Sequence, residues 1–230
     1  MVTISKEQFD NYLRQFVSIS KETSEPWDII EAPNPNSDYI YGSRVITKII
    51  DSRNGSADCE NDLDEKDYIL NDYDDQSTIS PPINQQIVRF QYHVIYSESF
   101  SVPVLYFNAS YANGSTIGLE EIWKLIPSVY INDSFKSKEE QLEESLSIIS
   151  PTEHPYLGTP VYFIHPCQVS TLLINVFHGK SSRDDNQFDI FLKTHNILIT
   201  WLSSVGPLIG LKLDPYYAVK LEEIIKSQSD

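Results

Sequence analysis

The residues best placed to do chemistry are His165-Pro166-Cys167, which follow the apolar run Val161-Tyr162-Phe163-Ile164. A thiolate is a nucleophile and a good leaving group, and its formation is favoured by nearby positive charge or by helix N-terminal N–H groups. Proline lacks an N–H and fixes φ, so Pro166 ends strand pairing and turns the chain. Cys167 is thereby delivered at a strand end, where His165 or backbone N–H groups are placed to favour the thiolate and to stabilise an oxyanion. The same three residues also suit a turn with a packed thiol. Local physics leaves both readings open.

The other candidates carry less. Cys59 sits in an acidic stretch and reads as a bystander. His178 and His195 invite a Cys–His hydrolase reading with Cys167, but His195 falls at helical spacing with Phe188, Phe191, Leu192, Leu198 and Trp201, as a core-edge histidine does. No Cys/His/acid cluster has the ligand spacing of a zinc site, so no metal is expected. Neither of the two cysteines lies in C-x-x-C, and a disulfide framework is excluded.

Several elements must position this corner. Ser5-Lys6-Glu7-Gln8 has the capping-box pattern, followed by Phe9, Tyr12, Leu13, Phe16 and Ile19 on one helical face. Trp27 to Ile50 reads as extended chain broken by a turn at Pro33 and Pro35. Val88, Phe90, Tyr92, Val94 and Tyr96 alternate with Arg89, Gln91 and His93, which predicts a half-buried strand. A turn at Glu98–Ser101 leads to a strand over Pro103–Ala109, and Asn113-Gly114 marks the next turn. Helices are expected around Leu119–Ile126, over 136–149, from Phe188 to Val205 before Gly206-Pro207, and over Tyr216–Ile225. The sum is a single α+β domain over 1–230, an antiparallel meander sheet flanked by helices.

Composition narrows the functions open to it. A chain of 230 residues with 40% apolar content builds one full core. Its formal charge of −16 repels phosphate backbones and anionic lipid, so neither nucleic-acid binding nor membrane insertion is expected. Between Asp51 and Ser80 ten acids stand against Arg53 and Lys66, so half of that charge belongs to one stretch. Residues 51–82 read as a solvated, disordered acidic insertion. With only 8 glycines the chain has neither G-x-G-x-x-G nor a P-loop, so no nucleotide cofactor is expected. No signal peptide or 18-residue apolar run is visible, and the expectation is a soluble, cytoplasmic protein with reduced thiols. The sequons at Asn54, Asn108, Asn113 and Asn132 are then accidents of composition.

Five segments occur in order: YSESFSVPVLYFNAS (96–110), LEEIW (119–123), EHPYLGTP (153–160), FIHPC (163–167) and WLSSVGP (201–207). Together they resemble the autophagy-related-protein-ten family, the ubiquitin-conjugating-enzyme-like (E-two-like) enzymes of the autophagy Atg-twelve conjugation system. The resemblance covers roughly residues 86–215 and implies a ubiquitin-conjugating-enzyme-like fold. It also implies that Cys167 is the thioester nucleophile, taking the ubiquitin-like modifier Atg twelve from the activating enzyme Atg seven. The modifier would then pass to a lysine of Atg five during autophagosome formation. His165 matches the start of the His-Pro-Asn signature of ordinary ubiquitin-conjugating enzymes, although no Asn follows it. That implies an oxyanion-stabilising or lysine-orienting role for His165, weighed against a purely structural corner. Phe100 stands where several members carry a Tyr, which leaves it a packing role near the site. A monomer without cofactor, recruited to the pre-autophagosomal site, completes the expectation.

A catalytically inactive modifier-binding scaffold and a cysteine hydrolase of modifier conjugates are the alternatives. The intact His-Pro-Cys speaks against the first, and the lack of a His/Asp partner motif against the second. His154 and Pro155 are expected to shape the loop leading into the strand before Cys167. The acceptor surface is guessed to be an exposed strand around Val102–Asn108, or the segment 170–186.

Overall fold

The computed structural model describes residues 3–33, 38–51, 85–125, 149–165 and 196–227. Helix α1 (Lys6–Ser20) starts where the capping box requires: the Gln8 N–H donates to Ser5 Oγ at 3.1 Å and the Ser5 N–H to Gln8 Oε1 at 2.8 Å. Its buried face is Phe9, Leu13, Phe16, Val17 and Ile19, while Tyr12 stays half-exposed. At the exit the Ser20 hydroxyl donates to Val17 O at 2.7 Å and accepts the Trp27 N–H at 2.9 Å, which turns the chain into the sheet.

Six strands form that sheet among the described residues: β1 (Asp28–Glu31), β2 (Ile40–Asp51), β3 (Gln85–Ser97), β4 (Val102–Tyr111), β5 (Ile149–Glu153) and β6 (Pro160–Ile164). All pairs are antiparallel, in the order β1-β2-β3-β4-β6-β5. The expected meander holds through β4, and the last hairpin enters with β6 inside and β5 at the edge. Helices α2 (Leu119–Leu125), α3 (Ile197–Val205) and α4 (Tyr216–Ser227) follow in chain order, with a 3₁₀ turn at Gly206–Ile209.

Val88, Phe90, Tyr92 and Val94 share one core with Leu105, Phe107 and Ile164, beneath α1, α3 and α4. Gly42 lets α1 approach, since a Cβ there would lie 2.9 Å from Leu13 Cδ1. Asn196 caps α3 by accepting the Leu198 N–H at 3.0 Å, and its amide donates to Tyr12 O at 2.8 Å, tying α3 to α1. The buried Tyr92 hydroxyl donates to Ile209 O at 3.1 Å, and burial raises its pKa. Close enough to act on Tyr217 of α4, Arg44 Nη1 lies 3.0 Å from Glu25 Oε2, a Coulombic pair without hydrogen-bond alignment.

Several expectations change. Ile149 begins β5 rather than ending a helix; the rest of the helix expected over 136–149 lies outside the described residues. The helix expected from Phe188 begins at Ile197, because the Asn196 cap starts it there; its 188–195 part, with His195, lies outside the described residues. β4 is no exposed strand: it runs between β3 and β6, with Val102, Val104, Leu105 and Phe107 buried. The outer side of β3 is not uniformly wet either, since His93 and Ile95 are 5% and 1% exposed. Apart from Asp51, the acidic stretch 51–82 lies outside the described residues.

Candidate functional site

Strand β6 ends at Ile164, whose side chain is buried in the core, and His165 follows as the last described residue before Pro166-Cys167. Alternation sends Ile164 inward and Phe163 and His165 outward. The His165 ring lies 5.7 Å from that of Phe163 and 6.1 Å, edge to face, from that of Phe100. Phe100 is 39% exposed at the tip of the β3–β4 turn. The structure therefore brings the His165 and Phe100 rings together. Cys167, Pro166, Cys59 and His178 lie outside the described residues, so the Cys–His reading has no geometry here.

The Phe100 turn is held from behind. Ser101 takes a left-handed φ of 53°, and its carbonyl accepts the Ile4 N–H at 2.9 Å. The Ile4 carbonyl in turn accepts the Tyr96 hydroxyl at 2.9 Å. The segment before α1 thus braces the loop that carries Phe100.

A register row crosses the outer face toward this corner. His93 on β3 is opposite Tyr106 on β4, and Tyr106 is opposite Phe163 on β6. Side chains directly opposite on one face of a ladder touch; the rings of Tyr106 and Phe163 stack at 5.9 Å. The turn His154–Thr159 between β5 and β6 folds over the same face. It is closed by the His154 N–H to Thr159 O at 2.8 Å and the Gly158 N–H to His154 O at 3.1 Å. Gly158 has φ +65°, and an added Cβ would stand 3.3 Å from Glu153 Oε1.

His154 serves that turn twice. Its Nδ1 accepts the N–H groups of Tyr156 at 3.2 Å and Leu157 at 3.1 Å. The ring proton must then sit on Nε2, which donates to His93 Nδ1 at 2.7 Å. His93 is left with its proton on Nε2, 3.1 Å from the Gln91 amide, which accepts when its oxygen faces the ring. Burial, and secondarily His154, pushes the His93 pKa down to about 4, and burial lowers that of His154. Tyr41 and Tyr156 enclose the pair: the Tyr41 ring lies 5.1 Å from His93 and 5.6 Å from His154, and stacks on Tyr156 at 5.6 Å. Burial first, then Glu98, raises the Tyr156 pKa to about 12. His154 was expected to shape this loop; His93, its partner, reads in the sequence as an outward strand residue. The two stand 61 positions apart, so only the fold discloses the pair.

Among the described residues, no group of three or more His, Cys, Asp or Glu could hold a metal, and no helix is long and apolar enough to cross a membrane. Residues 8–216 match the family model "Autophagocytosis associated protein, active-site domain". The chain is 28% identical over 218 residues to the ubiquitin-like-conjugating enzyme ATG10 of Homo sapiens, covering 94% of this chain and 92% of that one. It is 32% identical over 140 residues to the Dictyostelium discoideum enzyme of that name, covering 60% and 57%. For the Arabidopsis thaliana enzyme the figures are 29% over 163 residues, covering 71% and 64%. The family match spans the outer-face row and the His165-Pro166-Cys167 corner alike, and the chain belongs to the family of the autophagocytosis associated protein active-site domain, as a conjugating transferase of the ubiquitin-like type.

Proposed function

We propose that Cys167 accepts the modifier Atg twelve as a thioester from the activating enzyme Atg seven and transfers it to a lysine of Atg five. The observation that carries this reading is the placement of His165, beside Phe100 and at the end of β6, immediately before Pro166-Cys167. In the first step the Cys167 thiolate attacks the thioester carbonyl on the activating enzyme. The tetrahedral oxyanion collapses and the activating enzyme's cysteine leaves as thiolate. In the second step the lysine amine attacks the Cys167 thioester. The amine gives up a proton to solvent as Cys167 leaves as thiolate, so an isopeptide bond replaces the thioester. ATP is consumed upstream, and this chain needs no cofactor for either step.

His165 stabilises the oxyanion or orients the incoming lysine, and Phe100 holds the His165 ring by its edge contact. The chain forms a single domain over 1–230 with an acidic insertion at about 51–82. It acts as a monomer in the cytoplasm and is recruited to the pre-autophagosomal site.

A non-reducing gel after incubation with activating enzyme, modifier and ATP tests the reading. A DTT-sensitive adduct is expected, absent from Cys167→Ala and converted to a DTT-resistant oxyester in Cys167→Ser. No adduct in the unaltered chain would sink it. His165→Ala should load normally and discharge slowly; equal impairment of both steps would make His165 purely structural.

A further inference from the structure

From the outer-face row we infer that His93 and His154 are a positioning pair for the strand that leads to Cys167, holding the β5–β6 turn to the sheet only while both imidazoles are neutral. The geometry carries this in three steps. The Tyr156 and Leu157 N–H groups leave no room for a proton on His154 Nδ1. The His154 Nε2–H likewise leaves none on His93 Nδ1, 2.7 Å away. A proton added at either atom places two donors head to head inside a buried site, so the contact has one compatible charge state.

The turn it fixes runs through Gly158 and Thr159 directly into β6. His93, Tyr106 and Phe163 stand in one register row, two residues before His165. Releasing His154 therefore loosens the entry to β6 and the Tyr106–Phe163 stack on which the His165 ring leans.

The groups in contact with the pair carry no charge that would compensate a protonated imidazole. Tyr41 from β2, Gln91 from β3, Tyr106 from β4 and Tyr156 from the turn are all uncharged at neutral pH. The Glu98 and Asp10 carboxylates, which act on Tyr156, and Glu153, next to His154 in the chain, favour a charged imidazole, and burial of the pair outweighs them. Beside the pair, Asn108, Leu157, Thr159 and Val161 help to line a hollow of about 30 Å³, wide enough for water to deliver a proton.

The link to transfer rests on the thioester reading of Cys167, whereas the pair itself does not. The test accordingly has two arms on the full chain. In the first, amide hydrogen exchange at Tyr156 and Leu157 is followed from pH 7.5 to 4. Protection should fall as pH approaches about 4, where His93 titrates. In His154→Asn, whose side-chain oxygen caps the same N–H groups without titrating, protection should persist across the range. Protection independent of pH in the unaltered chain, or lost with pH equally in His154→Asn, would overturn the pair.

In the second arm, discharge of preloaded modifier is compared at pH 7.5. His93→Phe, which strands the His154 donor, should slow it about tenfold, the rate equivalent of one lost buried hydrogen bond. His93→Asn, which keeps an acceptor at the Nδ1 position, should stay within about twofold. Equal rates for the two variants would overturn the positioning role. Failure of the unaltered chain to load at all would instead remove the transfer reading, and the exchange arm would still decide the pair.

Discussion

The two faces of the sheet are built by different chemistry. The inner face is aliphatic and aromatic, buried under α1, α3 and α4, with Arg44–Glu25 its one described ion pair at short distance. The outer face alternates between bare surface and a polar aromatic cluster. Toward β2 it leaves Val45 and Ile49 40% and 45% exposed, while toward β6 it covers His93 with the 154–159 turn. Hydrophobic burial stabilises one face whatever the pH. On the other, beside the buried Ile95 and Val104, the hydrogen bond between the His93 and His154 rings adds a contact that holds in only one protonation state. Stability and site are thus separated across a single layer of strands, and each can be perturbed with limited damage to the other.

The most damaging change should be on the inner face. Leu198→Ala removes a fully buried side chain of α3 and should cost about 3–4 kcal/mol, measured by chemical denaturation. Next comes the buried ion pair. Arg44→Ala strands Glu25 and should cost about 3 kcal/mol, whereas Arg44→Met with Glu25→Gln should be near neutral. A large loss in that double variant would show that the pair, rather than its packing, stabilises the fold.

Acidification should act on the outer face with a smaller effect. His93 has a folded pKa near 4 against about 6.5 in the unfolded chain, so the unfolded state binds protons first. Its contribution is fully present above pH 6.5 and is lost as pH falls toward 4. The difference amounts to roughly 2 kcal/mol by pH 5 and should disappear in His93→Asn. The smallest effect is expected at Ile49, where Ile49→Ala should shift stability by no more than about 0.5 kcal/mol. A core-sized loss there would mean that this part of the outer face is covered.

Much of this architecture is legible in the residues, for physical reasons that also explain the rest. The capping box and the alternation from Val88 to Tyr96 are local signals, and local hydrogen bonds and burial realise both. The end of β6 at Ile164 was visible because Pro166, two residues on, has no N–H to continue the ladder. Strand β5 was not: Ser150-Pro151-Thr152-Glu153 is polar and contains a proline, which an edge strand tolerates where no N–H is needed. The start of α3 was missed because apolar residues before Asn196 continue the helical period, while the cap decides the boundary. The His93–His154 contact needs β3 and the β5–β6 turn to meet across the sheet, which no local pattern states.

Carriage of the modifier on Cys167 is tested most directly by the intact mass of the purified chain. After incubation with activating enzyme, ATP and modifier, the mass should rise by one modifier less one water. The increment should vanish on treatment with DTT and be absent from Cys167→Ala. An increment that survives DTT, or that persists in Cys167→Ala, would contradict the account.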